Sequence, residues 1–290
     1  MLLAAAGMSL VEVAGCRGPL DGDGAAAPST GAAGAAAPPA RVAGVGGAPG
    51  ASPPPTGAPP DGGSAALAPP ELAPPGLVPP ALAPAAGQVL TAAEQRPVFE
   101  LGPERRVVAL TIDDGPHPRH TPAVLALLQQ YGIRATFFLI GENAAENPGL
   151  VQETVARGHH IGNHTWTHPD LRHLSEEKVR DELGRTSDLI HRITGKAPTW
   201  FRAPGGDWAP VTLKVSAELG MRSMAWTVDP TDWAEPGADV ITSRVLKGVR
   251  PGAIVLNHDG GGDRSQTVAA LKAYLPALID SGYSFTAPAG

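Results

Sequence analysis

The chain has 290 residues, and its 22 Lys and Arg stand against 28 Asp and Glu, a formal net charge of −6. That balance, with no Lys/Arg cluster, excludes a nucleic-acid partner, which would select a basic face. The length allows one or two domains, and Cys16, the single cysteine, excludes an intrachain disulfide framework.

In chain order, the first segment is residues 1–16. Met1 to Val11 is apolar but too short to span a bilayer. Val13-Ala14-Gly15-Cys16 resembles the lipobox of bacterial lipoproteins, which implies a lipid anchor at Cys16. No Lys or Arg precedes the apolar run and Glu12 closes it, so an uncleaved N-terminus with a chance cysteine fits the same residues. Residues 17–103 read as an Ala/Pro/Gly-rich linker. Between Gly24 and Ala93 the only charged residues are Arg41, Asp61 and Glu71, too little patterning to repay the entropy of ordering. From Leu67 a five-residue repeat with paired prolines predicts a semi-rigid polyproline spacer. An anchor followed by a spacer implies an extracellular or cell-surface location.

Residues 104–290 alternate predicted strands and helices. Arg106 to Ile112 is a continuous apolar, β-branched run of the kind buried on both faces. Thr121-Pro122 predicts a helix start with Thr121 as cap, and Gly132 its end. A strand follows at Ala135–Ile140, a helix from Asn147-Pro148 to Gly158, and a short strand from His160 to His164. Ser175 caps the longest helix, whose Val179, Leu183, Thr186, Ile190 and Ile193 share one face. Further strands are predicted at Thr199–Arg202, Met221–Val228, Ala253–Asn257 and Tyr283–Thr286. Helices are predicted at Pro210–Leu219, Ala238–Lys247 and Ser265–Ser281. Alternation implies a parallel sheet, and about seven strands in so short a stretch favour a small α/β barrel over an open sheet.

Chemistry-bearing residues recur at predicted strand ends, where α/β barrels place their active sites. The first strand delivers Asp113 and Asp114, and Gly115-Pro116 stops it there. Two adjacent carboxylates repel unless a cation or a proton settles the charge, although Asp-Gly-Pro is also ordinary turn chemistry. His164-Thr165-Trp166-Thr167-His168 sets two imidazoles at i and i+4, which on a helical turn would share a face and reach one metal ion. Two histidines and a carboxylate leave coordination positions open, as a catalytic metal site requires. Phe201-Arg202-Ala203-Pro204-Gly205-Gly206 offers a guanidinium for a carboxylate and a turn that can aim a backbone N–H. A surface salt bridge on an ordinary turn fits that string too. Asp229, Asp232 and Trp233 follow the fifth predicted strand, and Leu256, Asn257, His258 and Asp259 end the sixth.

In this order the five segments resemble the five motifs of the polysaccharide deacetylases, carbohydrate esterase family 4, over roughly residues 105–286. The resemblance implies a distorted, incomplete (β/α) barrel of about seven strands. It also implies Asp113 as general base, Asp114, His164 and His168 as metal ligands, Arg202 orienting Asp113, and Asp232 tuning His258 as general acid. Gly205 would offer its N–H to the oxyanion, and Trp233 and Leu256 would wall the pocket for the acetyl methyl group. The family often carries an aromatic where this chain has Gly205, so a sugar-stacking platform is expected to be lost there. Ile112 replaces a frequent aromatic, which is read as packing.

The expectation is a metal-dependent hydrolase, zinc first and cobalt second, that removes acetyl groups from N- or O-acetylated glycans. Peptidoglycan or a chitin-like chain comes first, acetylxylan second, and a catalytically inactive glycan-binding domain is the rival. The expected partners are the glycan and, through Cys16, a membrane; the chain is expected to be a monomer. Gly260-Gly261-Gly262 lacks the Lys-Ser/Thr of a phosphate cradle, and no Gly-x-Ser-x-Gly elbow occurs. His159, His173 and His191 are read as solvated or packed.

Overall fold

The computed structural model describes residues 90–102 and 106–288. The lipobox-like segment with Cys16 and the linker up to residue 89 lie outside the described residues.

The apolar run becomes β1 (Val107–Asp113), buried from Val108 onward. Its alternation decides the architecture. Val108, Leu110 and Ile112 join the large cluster under the helices, whereas Ala109 packs inward with Phe138, Trp200, Met224 and Ile254. The chain continues through α1 (His120–Gln130), β2 (Thr136–Leu139), α2 (Gly141–Glu146), α3 (Pro148–Ala156) and β3 (His160–Asn163). Then come α4 (Glu176–Thr194), β4 (Trp200–Phe201), α5 (Pro210–Glu218), β5 (Arg222–Ser223), α6 (Ala238–Gly248), β6 (Ile254–His258), α7 (Ser265–Asp280) and β7 (Ser284–Thr286). All pairings are parallel, in the order β5-β4-β3-β2-β1-β6, with β7 beside the start of β1.

The sheet curls into an incomplete α/β barrel. Its edges, β5 and β6, approach through one bridge between Val228 and Val255, where Thr227 and Val228 donate to the Ile254 carbonyl at 2.9 and 3.0 Å. The predicted strand Met221–Val228 therefore appears as two pieces, because its start pairs with β4 and its end crosses to β6. Register brings the strand ends to one edge: Asp113 lies beside Phe138 and His258, and Asn163 beside Leu139 and Phe201.

Three local expectations change. Thr121 does not cap α1; it lies in the first turn behind Arg119, and its hydroxyl bonds Asp259 instead. Residues Gly141–Glu146 form a helix that composition did not announce. The domain starts earlier than residue 104. Val98 and Leu101 pack against the interior cluster, and Val98 exchanges backbone hydrogen bonds with Ser223 and Ala225, both at 2.9 Å. Other features follow the sequence closely. Ser175 Oγ accepts from the Lys178 N–H to start α4, and Gly195, at φ 74°, ends it in the left-handed conformation. Among the described residues no helix is long and apolar enough to cross a membrane.

Candidate active site

Asp113, Asp114, His164, His168, Gly205, Trp233, Leu256 and His258 line one cavity of about 430 Å³ at the C-terminal ends of the strands. Arg202 and Asp232 lie behind its wall, both buried.

Asp114 leaves β1 with φ 72°, a left-handed backbone uncommon outside glycine. Asn143 of α2 holds this turn by donating Nδ2 to the Asp114 carbonyl at 2.8 Å. Gly260 allows the opposite loop to close on it, since a Cβ there would lie 2.0 Å from the Asp114 carbonyl oxygen. Asp114 Oδ1 stands 3.4 Å from His164 Nε2 and 3.3 Å from His168 Nε2. The expected helical turn is absent. His164 and His168 converge through a loop with Thr165 at φ 69° and His168 at φ 59°, and their rings meet edge to face at 4.9 Å.

That loop is tied down by a residue the sequence did not single out. Glu182 of α4 accepts from the Trp166 and Thr167 N–H groups at 2.8 Å each and from the Thr167 hydroxyl at 2.9 Å. Its place on the otherwise polar face of α4 gave no sign of this role. His164 Nδ1 lies 2.7 Å from the Arg202 carbonyl, which can only accept, so Nδ1 carries a proton and Nε2 is the nitrogen turned to Asp114.

These three side chains fit a divalent cation on their own chemistry. Their ligand atoms lie within 4.8 Å of one another. Asp114 Oδ1 is buried with no hydrogen-bond partner, an arrangement costly to keep without a cation. Burial opposes the Asp114 charge, but the neighbouring imidazoles of His164, His258 and His168 hold it well below the usual carboxylate range. Burial, helped by His164, holds His168 below the ordinary histidine value, so it is neutral and free to ligate near pH 7.

Arg202 fills the barrel behind Asp113. It donates to Asp113 Oδ1 at 2.7 Å, Thr111 Oγ1 at 2.8 Å, and the carbonyls of Met224 and Ala225 at 3.0 and 2.9 Å. With four acceptors and the Phe138 ring 4.3 Å away, it is a saturated buried cation and not a surface ion pair. Across the cavity, His258 Nδ1 meets Asp232 Oδ1 at 2.7 Å, while Asp232 Oδ2 accepts from the His258 N–H at 2.9 Å and Thr267 Oγ1 at 2.8 Å. Burial works against the imidazolium, but the Asp232 bond and the charges of Asp232, Asp113 and Asp114 push His258 up to about 9.

Two further buried groups were given no role by the sequence. Arg264 lines the cavity and donates to the carbonyls of Gly260, Gly261 and Trp233 at 2.7, 2.9 and 3.2 Å, which fixes the glycine loop and the Trp233 wall together. Asp259 accepts from Thr121 Oγ1 at 2.6 Å. Burial pushes its carboxyl up to about 7 against that bond, with Asp114 and Asp113 adding to the rise. Of the histidines read as bystanders, His159 is packed edge-on to Phe137 and takes the Ala135 N–H at 3.2 Å.

Residues 101–224 match the family model described as polysaccharide deacetylase. A peptidoglycan-N-acetylglucosamine deacetylase of Bacillus cereus is 43% identical over 189 residues, covering 64% of this chain and 88% of the relative. A chitooligosaccharide deacetylase of Bradyrhizobium sp. is 46% identical over 190 residues, covering 61% and 87%. Among solved structures, a pseudoenzyme of carbohydrate esterase family 4 from Bacillus anthracis matches with TM-score 0.63 and 33% identity over 67% of each chain. With these matches, the five strand-end segments and the curled parallel sheet, the chain belongs to the polysaccharide deacetylase family, carbohydrate esterase family 4.

Proposed function

We propose that the domain hydrolyses acetyl groups of acetylated amino sugars in a glycan chain, with a divalent metal, zinc first and cobalt second, held by Asp114, His164 and His168. The observation that carries this reading is the buried, partnerless Asp114 oxygen facing two imidazole nitrogens, with a carboxylate on one side and a cationic histidine on the other.

When bound, the metal would act as a Lewis acid toward the acetyl carbonyl and lower the pKa of water at the site. Asp113, aligned by Arg202, takes the proton from the attacking water as the new C–O bond forms. Gly205, Leu256 and Trp233 line the same cavity; in this reading the Gly205 N–H serves the developing oxyanion, and Leu256 and Trp233 wall the methyl group. As the C–N bond breaks, His258 gives its proton to the departing nitrogen, and acetate and a free amine remain. Asp232 keeps that imidazole charged and oriented.

Peptidoglycan is the first substrate in this reading, chitin-like chains follow, and acetylxylan would use the same site for an ester. Anchored through Cys16 and spaced by residues 17–89, a monomeric domain would reach the cell wall from the membrane, an arrangement that rests on the sequence of those residues alone. The family also contains the Bacillus anthracis pseudoenzyme, so a glycan-binding domain without turnover is the second reading. The test is acetate release from peptidoglycan, chitin oligomers and acetylxylan, with zinc and after chelation. Zinc-dependent acetate from an amino-sugar polymer is the expected result. Binding without acetate on every substrate overturns the enzymatic reading.

A further inference from the structure

A second cavity of about 560 Å³ opens beside the catalytic one, and the two share His168 and Gly205 in their walls. It is lined by Trp208, Pro169 and Pro204 and by the polar side chains of Asp170, Arg172 and Asp207. We propose that this cavity is a subsite for the sugar ring next to the acetylated one in the same chain, with Trp208 as its stacking platform. The proposal rests on the reading of the domain as a glycan deacetylase and names which neighbour of the reacting sugar it grips.

Gly205 lies in the walls of both cavities. It sits at φ 61° with nothing within 4 Å of where a Cβ would be, so a large side chain there would enter open space at the junction. Three residues later Trp208 supplies an aromatic surface, shifted from the catalytic pocket into the adjoining cavity. The indole is held in place: Phe99 packs edge to face on it with centroids 6.4 Å apart. Phe99 belongs to the 98–101 segment stitched to β5 and to the loop at Gly252. The domain's early start thus supports the cavity's Trp208 lining.

The lining suits a pyranose. A sugar ring shows an apolar C–H face and an equatorial belt of hydroxyls, which asks for one flat aromatic surface and polar groups of both kinds. Asp170 accepts from Arg172 Nε and Nη2 at 2.9 and 2.6 Å, a mutually fixed acceptor and donor pair. Asp207 is fixed in turn by the Ala209 N–H at 3.0 Å. Carboxylates beside the guanidinium disfavour an isolated anion, and the polar walls disfavour an acyl chain. Because both cavities share His168 and Gly205, a ring in the second cavity can belong to the same chain as the reacting sugar.

The test uses the full chain loaded with zinc and compares kcat/KM on chitotetraose with that on N-acetylglucosamine. Trp208→Ala should cut the preference for the tetramer roughly tenfold, the order expected when one apolar pocket contact is lost. Trp208→Phe should keep most of the preference, which separates stacking from misfolding. Binding of chitotetraose, followed by intrinsic fluorescence without turnover, should weaken by a similar factor in Trp208→Ala. An unchanged tetramer preference in an active Trp208→Ala enzyme overturns the subsite and leaves the deacetylase reading intact. Weakened tetramer binding in a chain that releases no acetate supports the subsite and overturns the catalysis. Neither turnover nor tetramer binding by the wild type overturns both.

Discussion

The cavity holds two carboxylate–histidine pairings built on opposite logic. At Asp232 both oxygens are satisfied: one takes His258 Nδ1, the other takes a backbone N–H and the Thr267 hydroxyl. At Asp114 one oxygen faces two imidazole nitrogens at 3.3 and 3.4 Å and accepts a hydrogen bond from neither. The first pairing stabilises a proton on its histidine. The second gathers two imidazole nitrogens around a bare oxygen, which is what a cation completes. The two pairings differ in how many donors reach the carboxylate, and that count sorts proton chemistry from metal chemistry within one cavity.

The sharpest way to break the comparison is to remove one histidine from each pairing. His168→Ala should abolish stoichiometric zinc uptake while leaving the fold largely intact, because this side chain is partly exposed and makes little core. His258→Ala should keep zinc at one per chain and lose about 10²–10⁴-fold in acetate release, the usual worth of a positioned proton donor. Metal analysis of the purified variants beside their rates decides the matter. Zinc retained with unchanged affinity in His168→Ala would sink the metal assignment.

Asp113 lies between the two pairings, 3.8 Å from His164 Nε2 and bonded to Arg202. Asp113→Asn should lose about 10²–10⁴-fold in rate yet hold its metal, since the amide cannot take a proton but keeps the shape. A rate within a few-fold of wild type would show that the roles of the two aspartates are exchanged.

A smaller effect tests what holds the metal side open. Glu182 fixes the loop between the two histidines through three hydrogen bonds without touching either imidazole. Glu182→Ala should weaken zinc by about 10–100-fold, the usual cost of losing a group that orients a ligand. Chelator competition measures it. Unaltered zinc affinity would mean that the loop holds its shape without the clamp.

Much of this was legible in the sequence, and the reason differs by residue. β1, β2 and β6 are buried runs, so their apolar composition marked them, and the polar residues at their ends stood out by contrast. Helix α4 was legible because its solvent face is polar, so its period shows, and Ser175 and Gly195 mark its ends. The His164–His168 spacing pointed to the right pair for a reason that does not apply here: the two rings meet through left-handed loop residues and not through a helical turn. The roles of Arg264, Asp259 and Glu182 were not legible. Their partners are backbone carbonyls, a threonine 138 positions away, and loop N–H groups, and none of these leaves a pattern along the chain. The 98–101 segment was hidden by the composition before it, because two isolated bridges need no strand-like run.

The last test concerns the proton side alone. A general acid must be protonated when the leaving group departs, so the rate should fall as pH rises through the pKa of His258. That pKa is pushed up to about 9, the Asp232 bond and the charges of Asp232, Asp113 and Asp114 outweighing burial. A cation at Asp114 would cancel part of that negative charge, so the alkaline limb of the metal-loaded enzyme should lie below 9 and above the ordinary value of 6.5. Asp232→Asn removes the nearest negative charge, which lowers the pKa and should move the alkaline limb to lower pH, with zinc content unchanged. Asp232→Asn combined with His258→Ala should be little worse than His258→Ala alone, because residues that act as one unit are not additive. A limb that stays in place, or losses that multiply in the double variant, would separate Asp232 from His258 and leave Asp232 only its bonds to the His258 N–H and Thr267.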